Sequence, residues 1–246
     1  MTDYFNELSK QLDQLGRRHE LSTVFNDLLT LSLCSFHQTN LQSRLTEKDP
    51  DNEEMYLKII DPYQPEEISL FSPIMGLLML NVQDNPYTDL LGEYFMQQIT
   101  HGQNGQFFTP EPVCQMMAAI QGDPHSIQGK RVLDPACGSG RLMLQFAKLN
   151  PDNYFFGADN SITCAKMTVL NFFLNGLRGE VAWMDSLSME WYGGWQINTT
   201  GLGILPIEKE QSFIWTAPPN EVGPALTSQK PPTQKKITDS TQLTLF

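Results

Sequence analysis

Apolar residues follow two different rhythms along the chain. Over the first hundred positions the spacing is helical: Phe5, Leu8, Leu12 and Leu15 form one stripe, and Val24, Leu28 and Leu31 another. The most apolar run, Ile68 to Val82, contains Ser72-Pro73, which predicts an N-cap and a first helical residue for a buried helix. That run is too short to span a bilayer. Asn85-Pro86 closes it, and Thr88 to Gln98 predicts a further amphipathic helix. The acidic stretch Glu47 to Glu54, with its Asp-Pro pair, predicts an exposed loop. Asp61-Pro62 and Gln64-Pro65 predict another break. Residues 1–104 therefore read as a helical packing region.

Beyond it the rhythm changes. His101 to Gln106 reads as a loop; Thr109 then caps, and Pro110 opens, a helix running to about Gln121. Gly129 to Leu144 predicts a short strand through Val132 and Leu133, a tight loop at Gly138 and Gly140, and a helix from Leu142. Tyr154 to Asp159 is a second strand, Ser161 to Asn175 a helix stopped by Gly176, and Val181 to Asp185 a third strand. A long irregular connection with Trp191 and Trp195 follows. Ser212 to Trp215 predicts a fourth strand, running into Thr216 and the tetrapeptide Ala217-Pro218-Pro219-Asn220. Such alternation argues for a parallel α/β sheet that binds its ligand at the carboxyl ends of the strands. Only 26 residues follow Asn220, so the sheet is expected to stop after its fourth strand.

Composition narrows the chemistry. Asp and Glu number 28 against 16 Lys and Arg, a net charge of −12. That balance disfavours unaided binding to nucleic acid, whose affinity comes largely from phosphate neutralisation. Four scattered cysteines form no C-x-x-C pair, so no metal site is expected and a reducing, cytoplasmic compartment is. The positive signal is three carboxylates, Asp134, Asp159 and Asp185, each closing a strand beside the glycine loop. Asp159 stands about 20 residues past that loop, the offset at which an acidic side chain reaches ribose hydroxyls.

The segments Asp89-Leu90-Leu91-Gly92-Glu93-Tyr94, Gly105-Gln106-Phe107-Phe108-Thr109-Pro110 and Asp134-Pro135-Ala136-Cys137-Gly138-Ser139-Gly140 resemble those of the N6-adenine DNA methyltransferases. The likeness is to the modification subunits of type I restriction–modification systems, over roughly residues 85 to 220. It implies a Rossmann-like methyltransferase domain over 105–223 that binds S-adenosylmethionine (SAM). By that resemblance Phe108, Thr109, Pro110 and Asp134 hold the methionine end, with Ala136, Gly138 and Gly140 in the cofactor loop. Asp159 takes the ribose hydroxyls, Asn160 and Ile162 flank the adenine, and Asp185 accepts from its amino group. The target adenine would be flipped out of the duplex, with DNA recognition needing a specificity partner.

The catalytic tetrapeptide departs from the family pattern Asn/Asp/Ser-Pro-Pro-aromatic. Ala217 has no acceptor and Asn220 no aromatic ring, with Pro218 and Pro219 between them as in the family. Losing such a group costs on the order of a few kcal/mol of transition-state stabilisation. Residues 224–246 read as a flexible tail ending in Gln242-Leu243-Thr244-Leu245-Phe246. That ending is similar to the pentapeptide by which bacterial proteins bind the sliding clamp, and Gln242, Leu243, Leu245 and Phe246 would make the contact. Two functions are thus in play: an adenine methyltransferase working with a partner, and an inactive SAM-binding relative tethered to the clamp.

Overall fold

The structure, a computed structural model, describes residues 3–38, 49–100, 108–120, 128–199 and 201–216, and the backbone of 243–244. The helical stripes fold as their spacing predicts. Helix α1 (Tyr4–Gly16) buries Leu8, Leu12 and Leu15, and α2 (Leu21–Ser35) buries Val24, Leu28 and Leu31. The break at Asp61 to Gln64 is present between two helices, while two expectations fail: the loop over Glu47 to Glu54 and the helix start at Ser72-Pro73. Asp49 caps α3 (Pro50–Ile60), accepting from Asp51 and Asn52 N–H, where a loop was expected. Helix α4 (Pro65–Asp84) starts at Gln64-Pro65, through reciprocal bonds between Gln64 and Glu67. Pro73 therefore sits inside α4, on its exposed side, where the helix tolerates the lost N–H. The next helix is short, α5 (Leu90–Tyr94), and continues as a π-helical turn over Phe95–Thr100. Helix α6 (Glu111–Ile120) follows.

Three parallel strands come next: β1 (Arg131–Asp134), β2 (Tyr154–Asp159) and β3 (Arg178–Asp185), joined by α7 (Arg141–Leu149) and α8 (Ile162–Leu174). Each ends in the carboxylate expected of it. The connection after β3 is not irregular. It forms β4 (Glu190–Ile197) and β5 (Ile204–Ile207), both antiparallel. Gly193 and Gly194 sit in the ladder opposite Trp183 and Ala182.

The expected fourth strand is a helix, α9 (Phe213–Thr216). Its start is fixed from β3, where the Glu180 carboxylate accepts from Ser212 Oγ and from the N–H groups of Phe213 (2.9 Å) and Ile214 (3.3 Å). A four-residue apolar run has no period of its own, so tertiary bonding decides. The slot beside β1 is taken instead by β6 (Leu243–Thr244), parallel to it. The sheet thus does not stop at a fourth strand: its order is β5-β4-β3-β2-β1-β6.

One face of the sheet packs on α8, and α8 in turn on α2. A single apolar core runs from Leu8 and Phe25 through Tyr94 to Phe155, Phe172 and Val181. The other face carries Ala158, Ala182 and Met184, covered by Trp191, Ile214 and Trp215.

Candidate active site at the carboxyl ends of the parallel strands

Asp134 pairs with Gly157, two residues before Asp159 and on the same face, and Asp159 pairs with Trp183. Paired residues of a parallel ladder share a face, so Asp134, Asp159 and Trp183 project from the α8 side of the sheet. Between the first two lies the glycine loop. Gly138 and Gly140 hold φ of +56° and +80°, angles that favour glycine. A Cβ on Gly138 would also lie 2.9 Å from the Phe108 ring. The loop and Phe108 are thus in contact, as the sequence reading requires of one site.

Asp134 is buried, and the only hydrogen bond described for it is from the Ala136 N–H at 3.0 Å. Desolvation lifts its pKa to about 6, and the Asp159 charge adds to the rise. Asp159 is also raised by burial, against bonds from Gly138 N–H (2.8 Å) and Ser161 N–H (2.8 Å). Among the described residues neither carboxylate is in an ion pair. Two desolvated acids facing one loop make a local demand for positive charge, and glycine there admits a ligand close to the backbone.

Asp185 sits at the rim. It accepts from Leu187 and Ser188 N–H at 2.8 and 3.1 Å, which hold its pKa down. Ser186 Oγ donates to the Pro135 carbonyl at 2.6 Å, tying this turn to the loop after β1. Asn160 and Ala136 are exposed at the site, while Ile162 is half-buried at the start of α8. Thr109 offers its carbonyl to Arg141 Nη1 at 3.5 Å, and Pro110 lies exposed beside it. Ala217, Pro218, Pro219, Asn220, Gln242, Leu245 and Phe246 lie outside the described residues; of the terminal pentapeptide, the backbone of Leu243–Thr244 is placed.

Asp89, noted in the sequence only as part of a motif, is the hub of the site's support. Its Oδ1 accepts from Gly92 N–H and Asn171 Nδ2, each at 2.9 Å. Its Oδ2 accepts from Arg141 Nε at 2.8 Å and from Ser139 Oγ. These four donors match the lone-pair capacity of a carboxylate. Asp89 thereby joins the helical half, the glycine loop and α8 in one buried knot. Gly92, three residues on, is required by the same knot: a Cβ there would collide with the Asp89 carboxylate and Ser139 Oγ. A groove of about 520 Å³ lies against Asp89, lined by Tyr4, Asn85, Glu93, Phe108 and Pro110 among others.

Parallel strands flanked by helices, a positive-φ glycine loop after β1 and an acid closing β2 are the arrangement found in nucleotide-binding α/β folds. The profile of the N-6 DNA methylase family matches residues 87–221, and the chain belongs to that family. A type I restriction enzyme methylase subunit of Methanocaldococcus jannaschii is 30% identical over 100 residues, covering 36% of this chain and 16% of that protein. The match therefore spans about a sixth of that relative. Two solved structures are similar at 16% identity. One is a class I S-adenosylmethionine-dependent methyltransferase of Listeria monocytogenes (TM-score 0.48, 76% of this chain and 55% of that one). The other is the methyltransferase subunit of a type I restriction–modification system of Streptococcus thermophilus (TM-score 0.40, 71% and 56%). No described helix is long and apolar enough to cross a membrane.

Proposed function

We propose that this chain binds SAM at the carboxyl ends of β1 and β2 and methylates adenine N6 in DNA that a partner subunit recognises. The observation that carries the reading is the pair of desolvated carboxylates, Asp134 and Asp159, set around the glycine loop and, among the described residues, in no ion pair. The residues present fit the cofactor's chemistry. Asp134, with Phe108, Thr109, Pro110, Ala136, Gly138 and Gly140, would hold the amino-acid end, whose ammonium supplies the missing positive charge. Asp159 would take the ribose hydroxyls with its remaining lone pairs. Asn160 and Ile162 would flank the adenine and Asp185 accept from it. Bound there, SAM supplies an electrophilic methyl group.

A partner is called for because the chain is acidic, at −12 net charge, and duplex binding needs phosphate neutralisation. The Methanocaldococcus relative, named as a methylase subunit, supports a subunit's role. Ala217 and Asn220 favour a second reading, in which the protein binds SAM without transferring its methyl. It would then act as an accessory tethered to the sliding clamp through Gln242, Leu243, Leu245 and Phe246, with Leu243–Thr244 released from their pairing with β1. Deleting Leu245 and Phe246 should abolish clamp binding in that case, and unchanged affinity would rule the tether out.

Labelled methyl transfer separates the two readings. The first expects transfer from SAM to host DNA, at least when proteins from the same genetic neighbourhood are added. Activity that appears only after Ala217→Asn with Asn220→Phe would establish the second.

A further inference from the structure

The β3–β4 ladder is irregular at one point. Trp183 pairs with Gly193 and Met184 with Trp191, leaving Tyr192 as an extra residue on β4. A bulge of this kind re-aims the extra side chain, often next to a functional site. Here the Tyr192 ring lies against Trp183, with centroids 5.1 Å apart and planes at 47°. Trp183 is half-buried and pairs laterally with Asp159. Its indole Nε1 donates to the Asn160 carbonyl at 3.1 Å. The turn after β2 is thus held at two points: from within, by the Asp159 side chain on the Ser161 N–H, and from β3, by Trp183 on Asn160.

We infer that Trp183, buttressed by Tyr192, is a positioning residue for the nucleoside half of the cofactor site. Its N–H orients the Asn160 peptide, and with it the Asp159 carboxylate and the approach to Ile162. This rests on the SAM reading above. It gives the β4 strand, which the sequence shows only as an irregular stretch, a role in ligand binding.

The test measures S-adenosylhomocysteine and 5′-methylthioadenosine binding to the full chain by calorimetry. Trp183→Phe keeps an aromatic ring and loses the donor. It is expected to weaken both ligands by the same factor, about fivefold for one neutral hydrogen bond. It should also abolish most of the tryptophan emission change caused by S-adenosylhomocysteine. Tyr192→Phe keeps the buttress and should bind as the wild type does. Unchanged affinity in Trp183→Phe overturns the inference while leaving the SAM reading intact. So does a loss confined to S-adenosylhomocysteine, or an equal loss in Tyr192→Phe, which would mark general loosening. A wild-type protein that binds neither ligand removes the SAM reading, and this inference with it.

Discussion

Two aspartates illustrate opposite uses of a buried charge. Asp89 is matched by four donors including the Arg141 guanidinium, so it stabilises only while the whole set is present. Asp89→Ala would leave the half-buried Arg141 without its carboxylate and Ser139 and Asn171 without their shared acceptor, and is expected to cost about 2–4 kcal/mol in urea denaturation. Gly92→Ala should cost about 1–3 kcal/mol by forcing a methyl against the same carboxylate. Asp134 is the converse. It ionises in the folded chain at about 6, above the ordinary carboxylate value. Between about pH 4 and pH 6 the folded state therefore holds a proton that the unfolded chain has released, so this group's contribution to stability falls as pH rises through that window. At neutral pH the charge is fully developed and its burial is a standing cost. Asp134→Asn should then be more stable than wild type by about 1–3 kcal/mol at pH 7, with the difference vanishing near pH 4. Equal stability at pH 7 would mean that Asp134 is not desolvated as described.

Among the elements, those whose pattern is long and periodic were legible from the sequence. The stripes of α1 and α2, the strand–loop–helix from Arg131 to Leu149 and the carboxylate ends of β1, β2 and β3 all follow from local spacing. The misread elements are those where a distant partner decides. The Ser212 to Trp215 run became α9 because Glu180, more than thirty positions earlier, supplies its cap. Strand β4 was hidden because Gly193 and Gly194 break the apolar alternation by which a strand is read. Asp89 was illegible as a hub because its donors come from α5, the glycine loop, α7 and α8, which only the fold brings together. Glu180→Ala leaves the Phe213 and Ile214 N–H groups without their acceptor. Amide exchange across α9 should accelerate by at least tenfold, the equivalent of about 1.4 kcal/mol. Unchanged protection there would show that Glu180 does not hold the helix.

At the scale of the whole molecule, the helical half and the sheet are not independently packed. Lys166 on α8 donates to Thr30 on α2 at 2.8 Å, and Thr163 to Asn26 at 2.6 Å. The chain following α2 bonds to the outer edge of β5, with Ile204 N–H on the Phe36 carbonyl at 2.9 Å and Gln38 N–H on that of Ile204 at 2.8 Å. With one apolar core across both, a fragment covering 105–223 alone should lack cooperative unfolding, whereas the full chain should melt in a single transition. Two separate transitions in calorimetry would contradict that. The central claim, that the strand ends form a SAM pocket built on Asp134, is tested most directly by titrating the full chain with SAM at pH 7 in a calorimeter, beside Asp134→Asn. Saturable one-to-one binding by the wild type is expected, with a loss of at least tenfold in the variant, even though the variant is the more stable protein. Equal affinity in the two, or no binding by the wild type, would contradict it.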